Sequence, residues 1–102
     1  MARILAIYKT PTDKAAFDTY YFGTHVPLAK TVPGLRKYEV NASPVMGTQG
    51  PSTTYLVATL HFDSMADIAK GMGSAEGKAT AADVPKFASG GVEILMFDDK
   101  VV

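Results

Sequence analysis

The stretch FDTYYFGTHVPLAKTVPGLRKY, residues 17 to 38, decides the fold and carries the candidate chemistry. Phe17, Tyr20 and Tyr21 recur at helical spacing and form one aromatic stripe, and His25 lies one turn beyond Tyr21. The histidine therefore continues the aromatic face of a helix. An imidazole changes its protonation state near neutral pH, so this position is a candidate for proton transfer.

The same stretch predicts where this helix ends. Proline disfavours the α conformation of the residue before it, so Pro27 predicts that the helix ends or kinks just after His25. A second short helical turn is expected over residues 28 to 32, and the Pro-Gly pair at residues 33 and 34 stops it.

Hydrophobic side chains along the chain predict four strands, and helical spacing after a capping-box pattern at Ser64 predicts a second helix. Residues 42 to 52 are rich in Gly, Pro, Ser and Thr and are predicted to form a loop. The expected order is strand, helix, strand, strand, helix, strand, with strands at about residues 2–9, 35–41, 53–62 and 92–97, helices at about 13–24 and 65–73, and a short Ala-rich turn or helix at 75–83.

This order predicts an α+β, ferredoxin-like βαββαβ fold, in which two helices cover one face of a four-stranded antiparallel sheet. The chain of 102 residues is expected to form a single domain over residues 1–102. The first, third and fourth strands carry apolar side chains on both faces, and a second apolar sheet face needs a cover. We therefore predict a homodimer that packs sheet against sheet.

The composition excludes several classes of function. Ten Lys and Arg balance ten Asp and Glu without a basic stripe, which argues against nucleic acid and against an electrostatically held membrane partner. No apolar run approaches the ~18 residues of a membrane span, and a cytoplasmic location is expected. No cysteine, nucleotide-binding fingerprint or H-x-x-x-H pair is present, so we predict no metal site and no cofactor.

Four motifs give the chain a family resemblance. They are Y-Y-x-x-x-H-V-P-L at residues 20–28, P-G-L-R-x-Y at 33–38, LVATLHFDS at 56–64, and S-A-E-G-K-A with A-D-V-P-K-F at 74–87. Together they resemble the EthD family, named for a protein required in bacterial ethyl tert-butyl ether degradation. The resemblance implies a dimeric α+β barrel, whose superfamily includes cofactor-free monooxygenases, muconolactone isomerases, haem proteins and stress-responsive barrels. The family's characteristic histidine corresponds to His25.

The resemblance also implies a cleft between sheet and helices, with the first helix as one wall. His25 is the candidate catalytic residue, as a general base, and Tyr8, Phe17 and Tyr21 are candidates for substrate binding. The alternative for the histidine is a structural role, in which its ring nitrogens tie the helix end to backbone groups. Aromatic residues at these positions also fit an ordinary core.

Two further residues are candidates for binding substrate. Arg36 is expected to meet an anionic group or to be solvated, and His61 to lie in the pocket or at the dimer interface. Two functions then remain open. The first is a dimer that binds a small hydrophobic or aromatic molecule as a cofactor-free oxidoreductase of the monooxygenase type, or as an isomerase or lyase. The second is a non-catalytic ligand-binding or stress-protective accessory dimer.

Overall fold

A four-stranded antiparallel sheet with the order β2-β5-β1-β6 forms the base of the molecule, and the helices pack on one of its faces. The computed structural model describes all 102 residues. The strands are β1 (Ala2–Lys9), β2 (Lys37–Val40), β3 (Met46–Gly47), β4 (Gly50–Pro51), β5 (Thr54–Phe62) and β6 (Val92–Asp98). The helices are α1 (Lys14–Tyr20), α2 (Val26–Ala29), α3 (Met65–Gly73) and α4 (Ala75–Asp83), with a π-helical turn at Tyr21–His25 and a 3-10 turn at Val84–Lys86. The predicted α+β, ferredoxin-like fold is confirmed.

Strand register decides which side chains face the helices. Ala6 in the central strand β1 lies opposite Ala58 in β5 and Ile94 in β6. Because strand side chains alternate between faces, these residues share the helix-covered face, and their chain neighbours point to the other side. The buried core gathers on the covered face, and it includes Ile4, Ala6, Tyr8, Leu56, Ala58, Leu60 and Phe62.

The segment from Lys14 to Ala29 differs from its prediction. Asp13 caps α1 by accepting a hydrogen bond from the backbone N–H of Ala16 at 3.0 Å. The helix was predicted to end or kink just after His25. It does not end there, because the backbone stays right-handed helical through this point. The π-helical turn lets the N–H of residue 26 bond to the carbonyl of Tyr21, five residues back. Pro27 then falls in the first turn of α2, where its missing N–H costs little.

Two serine caps set the start of α3 and α4. Ser64 accepts a hydrogen bond from the N–H of Asp67 at 3.1 Å, which confirms Ser64 as the N-cap of α3. Ser74 ends α3 and caps α4. The two helices meet closely at Gly77, where a Cβ would overlap the carbonyl oxygen of Gly71. Glycine at this position therefore fixes the approach of α4 to α3.

The segment predicted as a loop, residues 42 to 52, contains a small hairpin of β3 and β4. Strand β2 is an edge strand of the sheet. The other edge strand, β6, keeps Leu95 at 46% and Phe97 at 39% exposure. Both lie on the helix-free face of the sheet, since their partners in β1 are Leu5 and Arg3. No helix is both long enough and apolar enough to cross a membrane.

Candidate functional site

A cavity of about 250 Å³ lies between the sheet and the helices. Its floor is formed by β1, β2, β5 and β6, and its walls are formed by the π-helical turn, α2, α3 and α4. None of the lining side chains is that of Asp, Glu, Lys or Arg. The residues that line it are Ile4, Ala6, Tyr8, His25, Ala29, Val32, Tyr38, Ala58, Leu60, Met72, Thr80, Ala81, Val84, Ile94 and Met96.

A larger groove of about 490 Å³ lies between α1 and the β3–β4 hairpin. It contains none of the six residues predicted from the sequence as site residues. The groove is an open surface feature with the charged side chains of Lys14 and Asp18 at its edge. The smaller cavity is therefore the better candidate site, because it encloses candidate residues in an apolar setting.

A buried carboxylate holds His25 in place. Nδ1 of His25 lies 3.0 Å from Oδ2 of Asp83, and each residue is only 4% exposed. The hydroxyl of Tyr20 donates to Oδ1 of Asp83 at 2.6 Å, and Nζ of Lys86 lies 3.7 Å from the same oxygen. Both carboxylate oxygens are thus engaged, and the imidazole orientation is fixed by an acceptor.

The electrostatics favour a neutral imidazole beside an ionised carboxylate. Burial lowers the pKa of His25 below its ordinary value, although the Asp83 carboxylate acts in the opposite direction. Burial alone would raise the pKa of Asp83, but the hydrogen bonds with Tyr20 and His25 outweigh it and hold that pKa below its usual range. At neutral pH, Nδ1–H therefore donates to Asp83, and Nε2 carries the lone pair.

Nε2 of His25, which carries the lone pair, is accessible at the wall of the cavity. The imidazole lines the cavity, and its single protein hydrogen bond is the one between Nδ1 and Asp83. No enclosed side-chain nitrogen or oxygen in the structure lacks a hydrogen-bond partner. Since Nε2 of His25 has no protein partner, it must be reachable from the cavity. This is the arrangement that a general base requires.

Tyr8 presents a second free polar atom. It lines the cavity, and its hydroxyl makes no hydrogen bond to the protein. Burial raises the pKa of this hydroxyl, so it stays protonated and can donate a hydrogen bond. The rings of Tyr8 and His25 both pack against Tyr21 and Phe87, at centroid distances between 4.6 and 5.6 Å. Tyr8 and His25 thus line the same cavity and share two aromatic neighbours.

Phe17 and Tyr21 lie behind the cavity wall. Their rings stack on each other at 5.5 Å with an interplanar angle of 7°, and both meet Tyr8 edge-on. The hydroxyl of Tyr21 forms a 2.6 Å hydrogen bond with that of Tyr38, which does line the cavity. These two predicted substrate-binding residues therefore support the lining side chains and do not line the cavity themselves.

The structure does not bring Arg36 or His61 to the cavity. Arg36 is exposed, and its guanidinium pairs with Asp63 at 2.8 Å. His61 contacts Arg3 and Glu39 on the helix-free face of the sheet. Alternation along β5 explains its position, because the cavity-lining residues of this strand have even numbers.

Sequence reasoning missed Asp83, the partner of His25, although it lies within the A-D-V-P-K-F motif. A carboxylate in the last turn of a helix is unfavourable beside the negative end of the helix dipole. Asp83 is the last residue of α4, and this unfavourable position indicates that the carboxylate has a role other than stabilising the helix. The structure contains no group of three or more His, Cys, Asp or Glu side chains that could hold a metal ion.

Two known proteins are similar to this chain in sequence, and one of them is also similar in structure. An uncharacterized 11.0 kDa protein in the thcB-thcC intergenic region of Rhodococcus erythropolis is 38% identical over 102 residues, covering 100% of this chain and 98% of that protein. A crystal structure of an ethyl tert-butyl ether degradation (EthD) family protein from Bacillus halodurans is 35% identical, with a TM-score of 0.88, covering 98% of this chain and 99% of that one.

More distant structures show a likeness of fold alone. SnoaB, a cofactor-independent oxygenase from Streptomyces nogalater, has 10% identity and a TM-score of 0.69, with 99% of this chain and 94% of that one covered. A dimeric ferredoxin-like protein of unknown function from Thermobifida fusca has 12% identity and a TM-score of 0.67, with 94% and 88% covered.

The EthD domain model matches residues 9–91, which include His25, Tyr38 and Asp83. This match spans most of the chain, and the Bacillus halodurans EthD protein agrees with it in both sequence and structure. The protein therefore belongs to the EthD family.

Proposed function

We propose that this protein is an enzyme that binds a small hydrophobic molecule in the cavity and removes a proton from it with His25, without a bound cofactor. The observation that carries the proposal is the buried His25–Asp83 pair, whose free Nε2 faces an apolar cavity. A purely structural histidine would have no need of an unpartnered nitrogen on the cavity side.

Asp83 is the positioning residue in this scheme. By accepting Nδ1–H at 3.0 Å, it selects the tautomer that leaves the lone pair on Nε2. When Nε2 takes a proton, the imidazolium forms beside an ionised carboxylate in a poorly hydrated site, where their attraction is strong. Tyr20 donates to the other carboxylate oxygen and keeps the carboxyl group from rotating.

Proton removal from an acidic carbon or a phenol is a first step common to isomerisation, elimination and cofactor-free oxygenation. The oxygenase activity in the name of the Streptomyces nogalater protein supports the oxidoreductase branch as a candidate. This chain and the Streptomyces nogalater protein share only the fold, so experiment must decide between isomerisation, elimination and cofactor-free oxygenation.

Proton abstraction can be tested before the natural substrate is identified. Acetophenone and cyclohexanone, deuterated at their α carbons, should lose deuterium to water faster with the protein than in buffer, as followed by NMR. His25→Gln should reduce this exchange by about 100-fold or more, since general bases typically contribute 10²–10⁴. If a ketone binds and the variant exchanges it as fast as the native protein, His25 is not the base, and a non-catalytic ligand-binding dimer becomes the better account.

We also propose that the protein is a homodimer that packs through the helix-free face of its sheet. The half-exposed Leu95 and Phe97 lie on this face, and exposed apolar patches of this kind mark interaction sites. The dimeric protein from Thermobifida fusca, which has the same fold, supports the proposal. Sedimentation at micromolar concentration should give twice the chain mass of 10.8 kDa, and a monomer would contradict it.

A further inference from the structure

The size of the cavity limits its ligand. An apolar protein cavity of about 150 Å³ holds benzene, whereas pockets for drug-sized ligands run from about 300 to 1,000 Å³. The cavity here is about 250 Å³. Scaled from benzene, it takes a molecule of roughly 10 non-hydrogen atoms. A single ring with a short substituent fills this volume, and three fused rings exceed it.

The lining also limits the charge of the ligand. None of the residues around the cavity is acidic or basic apart from the neutral His25. The nearest carboxylate, Asp83, has both of its oxygens engaged behind the imidazole. A charged ligand would therefore lose its hydration without gaining an opposite charge, which is a large cost in a protein interior.

Two polar side-chain atoms of the lining lack a protein partner: the Tyr8 hydroxyl and Nε2 of His25. The hydroxyls of Tyr38 and Thr80 are already engaged, with Tyr21 and with the carbonyl of Glu76. Because Tyr8 and His25 line the same cavity of about 250 Å³, one ligand that fills it can contact both free atoms, and the remaining surface is apolar.

We infer that the substrate class is an uncharged, single-ring compound whose one carbonyl or hydroxyl oxygen accepts a hydrogen bond from Tyr8 while His25 faces an adjacent proton. This class rests on the proposed function of His25. For a ketone, the α C–H bond breaks, the proton forms a bond with Nε2, and the electron pair moves onto the carbonyl oxygen. The Tyr8 hydroxyl then stabilises the resulting negative oxygen, in the manner of an oxyanion donor.

Access to the cavity runs between α4 and β6. Ala81 is exposed on α4 and also lines the cavity, and Ile94 and Met96 line it while remaining 45% and 53% exposed. Ala82, the next residue on α4, is exposed but does not line the cavity. These two alanines provide a matched pair for blocking the entrance.

The first experiment is an NMR titration of the full chain with four probes. Acetophenone should bind, benzoate should bind at least about 100-fold more weakly because it carries a charge on a similar frame, and tricyclic anthrone should not bind. Tyr8→Phe should weaken acetophenone binding about five- to tenfold, the worth of a neutral hydrogen bond, and leave toluene binding unchanged. Benzoate or anthrone binding as tightly as acetophenone, or a Tyr8→Phe variant with full acetophenone affinity, would overturn the inference.

The second experiment locates the ligand. Ala81→Trp should abolish acetophenone binding by filling the entrance, and Ala82→Trp should bind like the native protein. Equal binding by both variants would place the ligand elsewhere and overturn the inference.

These results separate the ligand class from the catalytic role. If acetophenone binds with the expected dependence on Tyr8 and Ala81 but loses no deuterium, the ligand class stands and the base is refuted. If deuterium is lost from a larger or charged ketone and depends on His25, the base stands and the ligand class is refuted. If neither acetophenone nor toluene binds, the class is wrong.

Discussion

Replacing Asp83 by Asn is the most informative single change, because it keeps the shape of the side chain and removes its charge. In the native protein, Nδ1–H of His25 donates to Oδ2 at 3.0 Å, and the Tyr20 hydroxyl donates to Oδ1 at 2.6 Å. The amide of Asn has one acceptor oxygen and one donor NH₂ group. With the oxygen held by Tyr20, the NH₂ group faces Nδ1 and favours the tautomer with its proton on Nε2. The lone pair then no longer faces the cavity.

Two magnitudes follow from this geometry. The exchange of α-deuterium from acetophenone should fall by about 100-fold or more, because the base is removed without removing the imidazole. Stability should fall by about 1 to 3 kcal/mol, because two hydrogen bonds to a charged carboxylate are replaced by weaker bonds to a neutral amide at a site where Asp83 is only 4% exposed. For a domain of this size, each kcal/mol shifts the melting temperature by about 4–8 °C.

The assay combines the exchange rate with the melting temperature and a binding titration. Tyr20→Phe is the matched control, since it removes a hydrogen bond to Asp83 but leaves the charge and the native tautomer. This control should keep more of the exchange activity than Asp83→Asn, because the carboxylate still accepts Nδ1–H but is held less firmly. An Asp83→Asn variant that binds acetophenone and exchanges it at the native rate would refute the positioning role.

Three further predictions follow from the described contacts. Burial lowers the pKa of His25, so unfolding takes up a proton below about pH 6.5. The melting temperature should therefore fall more from pH 7 to pH 5 in the native protein than in His25→Gln. Equal falls in the two proteins would contradict the lowered pKa. Gly77→Ala should lower stability by about 1 to 3 kcal/mol through overlap with the α3 backbone, whereas Gly73→Ala, with open space around its Cα, should be near neutral in thermal unfolding. Leu95→Glu should give monomers in sedimentation and Ile94→Glu, on the opposite face, should leave the dimer intact; a dimeric Leu95→Glu variant would argue against this interface.

Alternation of side chains and helix-capping residues predict most of the strands and helices of the fold. The alternation in residues 53–62 predicts β5 within one residue, and the Ser64 capping box correctly starts α3. The π-helical turn at Tyr21–His25 was beyond prediction, because it differs from an α-helix only in which carbonyl each N–H selects. Proline disfavours a helical residue before it, and this rule predicted a helix end or kink just after His25. The hydrogen bonds of the π-helical turn instead let the helix continue past this point.

The candidate site was only partly predictable. His25 was identified from an aromatic helix face and Tyr8 from the cleft that the family resemblance implies, and both line the cavity. Asp83 lies 58 residues from His25 in the chain, and the spacing of neighbouring residues gives no information about such a pair. Side chains alternate between the two faces of β5, so His61 lies on the face opposite to Ala58 and Leu60. The sequence does not tell which of these faces is covered by the helices, because that depends on packing.

The central claim is that His25 presents an unprotonated Nε2 to the cavity at neutral pH. A long-range ¹H–¹⁵N NMR spectrum of the imidazole tests it directly, because the two nitrogens have different shifts in each tautomer and in the imidazolium. Our account predicts a neutral ring with its proton on Nδ1 at pH 7, and a shift of the Nε2 signal when acetophenone is added. A ring with its proton on Nε2, or an imidazolium at that pH, would contradict the account.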